Sequence, residues 1–159
     1  MLDRALLLDR AKALRLLILD VDGVLTDGRL YYGPAGEALK VFDVKDGHGL
    51  VLLRAHVDLA VISARPQEIA RRRLEELKFK HLHFERRDKM ACYEALVALV
   101  GCSDREVAFM GDDVNDLPLI ERVGLSAAPS DAVPEVLAAA HFVAREPGGR
   151  GAVRALCEL

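Results

Sequence analysis

The sequence predicts an α/β fold in which a parallel sheet is flanked by helices. Short apolar runs that end at Gly, Ser or Asp alternate with longer stretches of helical periodicity, as in repeated βα units. Runs such as LLILD and LAVIS lack alternating polar residues, which is typical of central strands covered on both faces. The length of 159 residues fits a single domain spanning 1–159.

Each apolar run is assigned to a strand and each periodic stretch between runs to a helix. The predicted strands are 15–20, 58–63, 81–84, 107–111, 124–127 and 141–143. The predicted helices between them are 47–55, 66–77, 89–100, 115–123 and 132–139. An amphipathic helix is predicted in MLDRALLLDRAKALR at the N-terminus, and EPGGRG at 146–151 predicts a flexible turn before a short final helix or tail.

The segment 29–42, RLYYGPAGEALKVF, interrupts the alternation of strands and helices. It has two β-prone arms around Gly33-Pro34-Ala35-Gly36. This pattern predicts a β-hairpin. The hairpin follows the first strand, where a crossover helix would otherwise begin, so it is expected to project as a flap beyond the strand ends. Tyr31 and Tyr32 could then contact another subunit, or the hairpin could fold back on its own domain.

Composition and charge exclude several classes of protein. The chain is 52% hydrophobic and 30% charged with no Trp, and its net charge of −3 gives no general attraction for nucleic acid. The basic run Arg71-Arg72-Arg73 lies in a helical stretch and is interpreted as a solvated face. No uncharged apolar stretch is long enough to span a membrane, and three scattered cysteines indicate a reducing cytoplasm rather than a disulfide framework.

The strongest local signal is DVDGVLTDG at 20–28, directly after the apolar run LLIL. Ligands of parallel α/β sheets bind beyond the carboxyl ends of the strands, so Asp20 and Asp22 are expected where a reaction can occur. Two carboxylates separated by one residue can divide an ester cleavage between a nucleophile and a proton donor. Gly23 permits the sharp turn between them and the rest of the loop.

A second acidic motif, GDDVNDLP at 111–118, follows the apolar run VAFM. It brings Asp112, Asp113 and Asp116 toward the same sheet edge, where mutual repulsion would be severe without a cation. All these ligands are oxygens, and no Cys or His clusters with them, which favours Mg²⁺ over zinc or copper. The combination predicts metal-assisted phosphoryl transfer.

Two further residues suit a phosphate site. Ser63 closes the run LAVI, where its hydroxyl could donate to a phosphoryl oxygen near a helix N-terminus. Lys89 begins a predicted helix after the third strand, and its ammonium could neutralise phosphate or Asp20. Each signal is weak alone, since such residues are often a helix cap or a solvated side chain, and their order along the chain strengthens both.

The order Asp-x-Asp, Ser, Lys and Gly-Asp-Asp-x-x-Asp resembles that of the haloacid dehalogenase superfamily of phosphatases, whose sheet is Rossmann-like. The resemblance spans the whole chain. It implies that Asp20 is the nucleophile and Asp22 the general acid/base, and that Ser63 and Lys89 hold the phosphoryl group. It also implies that Mg²⁺ is bound by Asp112, the Asp20 carboxylate and the Asp22 backbone carbonyl, supported by Asp113 and Asp116.

DVDGVLTDG, the hairpin, KVFDVKDGHGL, ISARP and GGRGAVR together resemble the 3-deoxy-D-manno-octulosonate 8-phosphate phosphatases. That family lacks a cap domain and forms tetramers in which neighbouring subunits help close the site, so a homotetramer acting on an acidic sugar phosphate in lipopolysaccharide biosynthesis is expected. The resemblance places six residues near the substrate: Asp46, Gly47 and His48 at the entrance, and Arg65, Arg150 and Arg154 as candidates to grip the substrate's carboxylate or phosphate.

Two positions depart from the family pattern. Ala64 stands where the family usually has Gly, and Val51 where members often have Arg or Lys. Both are expected near the sugar, so a nine-carbon ulosonate 9-phosphate stays open as an alternative substrate. Two other classes also remain: a non-catalytic regulatory module of sugar-nucleotide synthesis, and a signalling receiver domain, whose phosphate-accepting Asp would follow a later strand.

Overall fold

A six-stranded parallel sheet organises the computed structural model, which describes residues 3–159. The strand order is β5-β4-β1-β6-β7-β8, and every neighbouring pair is parallel. The strands of this sheet are β1 (Leu16–Leu19), β4 (Asp58–Ile62), β5 (His81–His83), β6 (Val107–Met110), β7 (Leu125–Ala128) and β8 (Phe142–Val143). All six predicted strands are therefore confirmed within one or two residues.

The order of the strands along this sheet is the Rossmann order, in which successive strands are added first on one side of β1 and then on the other. It differs from the order of receiver domains, so the receiver alternative is wrong. The order reverses between β1 and β6, and ligands of such sheets bind in the crevice at that point.

Within residues 3–159, seven α-helices cover the two faces of the sheet: α1 (Arg4–Lys12), α2 (Val44–Leu53), α3 (Glu68–Glu76), α4 (Lys89–Val100), α5 (Leu117–Arg122), α6 (Pro134–Ala139) and α7 (Ala152–Cys157). The N-terminal helix is confirmed from Arg4, and Met1 and Leu2 lie outside the described residues. Helix α4 has its predicted bounds. Helix α2 begins before the predicted residue 47 because the Asp43 carboxylate caps it, accepting from the amide of Lys45 at 2.6 Å.

The apolar core lies in two layers, one on each face of the sheet. Leu17 and Leu19 of β1 point into the layer beneath α2, α3 and α7, whereas Leu16 and Ile18 point into the layer beneath α4, α5 and α6. All four residues are buried, as the unbroken apolar run predicts. The core therefore fixes β1, and with it the residues that directly follow β1.

The predicted hairpin is formed by β2 (Tyr31–Gly33) and β3 (Gly36–Leu39), a two-stranded sheet separate from the main one. Its arms are shorter than the predicted 29–42, and Gly33 pairs with Gly36, so Pro34 and Ala35 alone form the turn. The hairpin leaves a set of large apolar side chains exposed, which include Leu30, Tyr31, Tyr32, Leu39, Val41 and Val44. No cap domain is present among residues 3–159.

The turn at 146–151 is packed against the loop that follows β1, and the prediction of a flexible turn is wrong. The Gly149 amide donates to the Val24 carbonyl at 2.9 Å. A Cβ at Gly148 would lie 1.8 Å from the Gly23 carbonyl oxygen, so only glycine permits this approach. The turn leads into α7, whose residues Ala152 and Val153 are buried in the core.

In the stretch from Asp3 to the C-terminus, every helix is too short or too polar to cross a lipid bilayer.

Candidate active site

The candidate site lies at the carboxyl edge of the sheet, where its order reverses. Asp20 directly follows β1 and its amide donates to the Met110 carbonyl at the end of β6, at 3.1 Å. Asp112 follows β6, and Ser63 follows β4 on the other side of β1. Gly23 adopts a φ of 83°, and a Cβ there would lie 2.0 Å from Asp112 Oδ2. The glycine therefore allows the two acidic loops to meet.

Three carboxyl groups meet at this point: oxygens of Asp20, Asp112 and Asp116 all lie within 4.8 Å of one another. Within residues 3–159, one cation lies among them, the Lys89 ammonium. Lys89 Nζ donates to Asp20 Oδ2 at 2.8 Å and to Asp116 Oδ1 at 2.5 Å, and the Lys89 residue is only 3% exposed. A single buried ammonium thus faces three acidic groups, which leaves an excess of negative charge.

Burial and this excess of negative charge both affect the pKa values of the cluster. Burial raises the pKa of Asp20 to about 6, even though Lys89 opposes the rise. Burial, with repulsion from Asp20 and Asp116, raises the pKa of Asp112 to about 8. Burial alone would lower the pKa of Lys89, but the attraction of Asp20 and Asp116 outweighs it and the net pKa is raised. Lys89 is thus held as a cation, while the acidic groups resist full ionisation.

Asp116 organises the second acidic loop. Its residue is fully buried, and its Oδ2 accepts from the amides of Asp112 at 3.1 Å and Asp113 at 3.4 Å. The Asp113 carboxylate turns away to cap the short 3₁₀ turn, accepting from the Val114 amide at 2.7 Å. Of the three predicted acidic residues in this motif, Asp112 and Asp116 therefore join the cluster and Asp113 does not.

An open cavity of about 230 Å³ lies above the cluster. It is lined by residues from three loops of this edge, namely Asp20, Asp22, Gly28, Ser63, Ala64, Arg65, Asp112, Asp113 and Asn115. The predicted nucleophile, proton donor and phosphate-binding serine thus share one cavity. The larger cavity beneath α1 is almost entirely apolar, and the carboxyl cluster of Asp20, Asp112 and Asp116 lies at the cavity described here.

Asp22 has partners that the sequence did not reveal. The Lys40 ammonium pairs with Asp22 Oδ1 and also with Glu37 Oε1 at 2.8 Å. The Gln67 amide donates to Asp22 Oδ2 at 2.7 Å, and Arg65 Nε lies 3.7 Å from the same oxygen. Neither the hairpin pattern nor the helical period marks Lys40 or Gln67, since their contacts are long-range and no local signal precedes them.

Of the six predicted substrate-binding residues, only Arg65 lines the cavity. Asp46 is buried and accepts from the amides of Gly151 at 3.2 Å and Arg154 at 2.7 Å, so it holds the start of α7. Gly47 packs against Arg73, and His48 is exposed on α2. The two arginines have acidic partners: Arg150 lies 3.6 Å from Asp27, and Arg154 pairs with Glu158. The resemblance placed Asp46 near the substrate entrance, whereas in the structure its buried carboxylate accepts from the backbone amides of Gly151 and Arg154.

Comparison with known proteins shows similarity over nearly the whole chain. The 3-deoxy-D-manno-octulosonate 8-phosphate phosphatase of Yersinia pestis is 44% identical over 153 residues, covering 96% of this chain and 82% of that protein. The phosphatase of the same name from Escherichia coli K12 is 42% identical, covering 94% of this chain and 80% of that protein.

Solved structures agree with this likeness. The crystal structure of the Yersinia pestis phosphatase has a TM-score of 0.92 and covers 96% of this chain and 83% of its own. The phosphatase of the same name from Moraxella catarrhalis, in complex with magnesium, phosphate and KDO, has a TM-score of 0.94 at 31% identity and covers 98% of this chain and 90% of its own.

The family profile of haloacid dehalogenase-like hydrolases matches residues 57–156, which contain β4 to β8 and most of the site. The remaining part, with β1 and its acidic loop, is covered by the relatives above. The chain is a phosphomonoesterase of the haloacid dehalogenase-like hydrolases and belongs to their 3-deoxy-D-manno-octulosonate 8-phosphate phosphatase family.

Proposed function

We propose that the protein hydrolyses 3-deoxy-D-manno-octulosonate 8-phosphate to 3-deoxy-D-manno-octulosonate and phosphate, with Asp20 as the nucleophile. The observation that carries the proposal is the position of the Asp20 carboxylate. It lies at the reversal point of the sheet, is fixed by Lys89, and opens into the cavity that Asp22 and Ser63 also line. The names of the relatives from Yersinia pestis and Moraxella catarrhalis support the substrate.

In the first step, a carboxylate oxygen of Asp20 attacks phosphorus and the bond from phosphorus to the ester oxygen breaks. Asp22 donates its proton to the departing oxygen, so the sugar leaves as an alcohol. Ser63 and Lys89 hold the phosphoryl oxygens, where the Ser63 hydroxyl donates a hydrogen bond and the Lys89 ammonium offsets charge.

In the second step, water attacks the phosphorus of the aspartyl phosphate on Asp20. Asp22, now a carboxylate, takes the proton from that water, and the bond from phosphorus to the Asp20 oxygen breaks. Phosphate is released and Asp20 returns as a carboxylate. The open cavity gives water access to the site for this step.

The acidic cluster fits a magnesium ion. Its donors are hard oxygens, three carboxyl groups share the Lys89 ammonium, and burial with repulsion from Asp20 and Asp116 raises the pKa of Asp112 to about 8. We assign Asp20, Asp112 and the Asp22 backbone carbonyl as ligands. Asp116, whose two oxygens are already hydrogen bonded, supports these ligands, and Asp113 contributes through its backbone amide, which donates to Asp116 Oδ2. A bound Mg²⁺ would offset the charge of the phosphoryl oxygens and keep both acidic ligands ionised.

Arg65 is the residue of this site best suited to the carboxylate of an acidic sugar. It lines the cavity, and its side chain is 34% exposed, so part of the guanidinium faces solvent. Ala64 lines the same wall and bears on the choice between an eight-carbon and a nine-carbon ulosonate. Val51 packs against the core from α2 and lines no part of this cavity.

The direct test is a steady-state comparison of kcat/KM across acidic sugar phosphates in the presence of Mg²⁺. We expect the highest value for 3-deoxy-D-manno-octulosonate 8-phosphate. A higher value for the nine-carbon ulosonate 9-phosphate would replace the substrate assignment, and the absence of turnover on every ester would favour the non-catalytic regulatory module. Aspartyl phosphate formation is tested by mass spectrometry after rapid acid quenching.

We further propose that the protein acts in the cytoplasm as a homotetramer in which hairpins from neighbouring subunits pack together. The exposed apolar side chains of the hairpin support an interface, since Tyr32 is 68% exposed and Val44 at the start of α2 is 78% exposed. Sedimentation equilibrium is expected to give a mass of about four chains, a value that a homotetramer requires. Tyr32→Ser is expected to weaken assembly, and a wild-type monomer would contradict the proposal.

A further inference from the structure

Gln67 is a fully buried polar residue for which helix formation gives no reason. It occupies the cap position before α3, and its backbone carbonyl accepts from the Arg71 amide at 2.9 Å. Ser, Thr, Asp and Asn are favoured at such positions because their side chains reach the first free amides. The Gln67 side chain makes no cap hydrogen bond and turns into the candidate site instead.

The side-chain amide of Gln67 joins two residues of the site. Nε2 donates to Asp22 Oδ2 at 2.7 Å and to Ser63 Oγ at 3.1 Å, so both of its N–H groups have partners. Oε1 is buried and has no hydrogen-bond partner among the described residues. Burying an unpaired amide oxygen opposes folding, so a Gln at this position is explained by what its N–H groups do.

The other contacts of Asp22 show why this one matters. Oδ1 is held by Lys40, which follows the hairpin and is itself shared with Glu37. Oδ2 has a more distant cation in Arg65, at 3.7 Å, and Arg65 also pairs with Glu37 at 3.3 Å. Without Gln67, Oδ2 would face only this partly exposed and shared guanidinium. Gln67 therefore supplies the short, neutral contact that fixes the second oxygen.

We propose that Gln67 is a positioning residue that holds the Asp22 carboxyl group at a fixed distance from the Ser63 hydroxyl. This inference rests on the proposed function, in which Ser63 holds the phosphoryl group and Asp22 protonates the leaving oxygen. A substrate phosphorus and its leaving oxygen are one bond apart, so the two side chains must keep a matching separation. One amide bonded to both sets that separation directly.

Esters with different leaving groups distinguish a positioning role of Gln67 from a merely structural one. An alkoxide leaves with difficulty unless it is protonated as the bond breaks, whereas p-nitrophenolate leaves readily without a proton. A displaced Asp22 therefore slows formation of the aspartyl phosphate from an alkyl phosphate more than from p-nitrophenyl phosphate, whereas hydrolysis of that intermediate is the same for both esters. General damage to the fold, to metal binding or to Asp20 slows both esters alike.

The experiment compares kcat/KM, which reports the steps up to departure of the leaving group, for an acidic sugar phosphate and for p-nitrophenyl phosphate in wild type, Gln67→Leu and Asp22→Asn. For Gln67→Leu we expect kcat/KM to fall about 10-fold to 100-fold on the sugar phosphate, as for a misplaced proton donor, and about 3-fold or less on the aryl ester. Glu68→Gln is the matched control, because Glu68 is the next residue in the chain and its side chain is 73% exposed and pairs with Arg71. It is expected to leave both rates unchanged.

Equal losses on the two esters, or no loss on either, would overturn the role of Gln67, provided that wild type is active and Asp22→Asn shows the leaving-group effect. An inactive wild type, or Asp22→Asn without that effect, would instead contradict the proposed function. If Gln67→Leu fails to fold, Gln67→Met gives the same test, because its unbranched side chain keeps the length and lacks the N–H donors.

Discussion

The two halves of the candidate site are built differently. The phosphoryl half, with Asp20, Lys89 and Asp116, is almost completely buried, and its residues directly follow core strands or begin a helix. The leaving-group half is more open, since the side chains of Asp22 and Arg65 are 18% and 34% exposed, and it depends on the hairpin and the turn before α3. Nucleophilic attack and phosphoryl binding thus rest on the core, whereas proton transfer by Asp22 and recognition of the leaving group rest on the periphery.

The two halves also differ in how well their acidic and basic side chains are balanced. Three carboxyl groups share one ammonium in the phosphoryl half, whereas Asp22 and Glu37 are matched by Lys40 and Arg65 in the leaving-group half. Only the first half therefore needs an added cation. This comparison predicts that changes in the phosphoryl half abolish turnover or metal binding, and that changes in the leaving-group half have graded effects on substrate preference.

The largest effect is expected for Asp20→Asn in the phosphoryl half. We expect kcat to fall by about 10³-fold or more, because an amide cannot form the aspartyl phosphate. The fold should persist, since the carboxylate lies at a strand end rather than within an apolar layer. Turnover and Tm measure the two effects. Asp27→Asn is the control from the same loop, and near-normal turnover in Asp20→Asn would remove Asp20 as nucleophile.

A graded effect is expected for Arg65→Met in the leaving-group half. Loss of the guanidinium should raise KM for a carboxylate-bearing sugar phosphate by about 10-fold, the scale of one exposed charge-assisted contact. KM for p-nitrophenyl phosphate, which lacks the carboxylate, should change little. Measuring both KM values separates recognition from chemistry. Equal increases for the two esters would show that Arg65 serves the phosphoryl group instead.

The pH dependence of stability tests whether the phosphoryl half carries unbalanced acidic groups. In the metal-free protein the pKa of Asp20 is about 6 and that of Asp112 about 8, both above the ordinary value of 3.8. Between these values the folded state holds protons that the unfolded state has lost, so stability falls as pH rises. We expect the metal-free Tm to fall by several degrees between about pH 5 and about pH 8.5.

Magnesium should reverse this fall, because a bound cation stabilises the ionised carboxylates and competes with protons. The rise in Tm on adding Mg²⁺ is therefore expected to be larger at about pH 8.5 than at about pH 5. Asp112→Asn serves as the control, since it removes the most strongly shifted carboxyl group and should reduce the pH dependence. A rise in Tm that is equal at both pH values would contradict the proposed metal site.

The smallest effect on catalysis is expected for Asp46→Ala, outside both halves. The change removes two hydrogen bonds to the backbone of α7 and should cost about 1–3 kcal/mol of unfolding free energy. KM should stay close to that of wild type, because Asp46 does not line the cavity. Thermal unfolding and steady-state kinetics test this together, with Glu158→Gln as a surface control. A large increase in KM with unchanged Tm would restore Asp46 to substrate binding.

The strands, the helices and the phosphoryl half were predictable from sequence because their signals are local. An apolar run followed at once by Asp20, Ser63 or Asp112 places each side chain at the carboxyl edge of a strand, whatever the details of packing. The leaving-group half was predicted less well. Its contacts join the hairpin, the turn before α3 and the loop after β1, and such long-range pairs leave no periodic pattern in the chain.

By itself, the sequence determined which residues follow the buried strands, and therefore which carboxylates and which hydroxyl reach one edge of the sheet. Only the tertiary structure decided how those groups are shared. In the tertiary structure, Asp46 accepts a hydrogen bond at the start of α7, and the Asp113 carboxylate lies outside the acidic cluster. Lys40 and Gln67 both contact the Asp22 carboxylate. The physical reason is that strand ends are set by local burial, whereas a hydrogen bond between distant segments depends on how every layer between them packs.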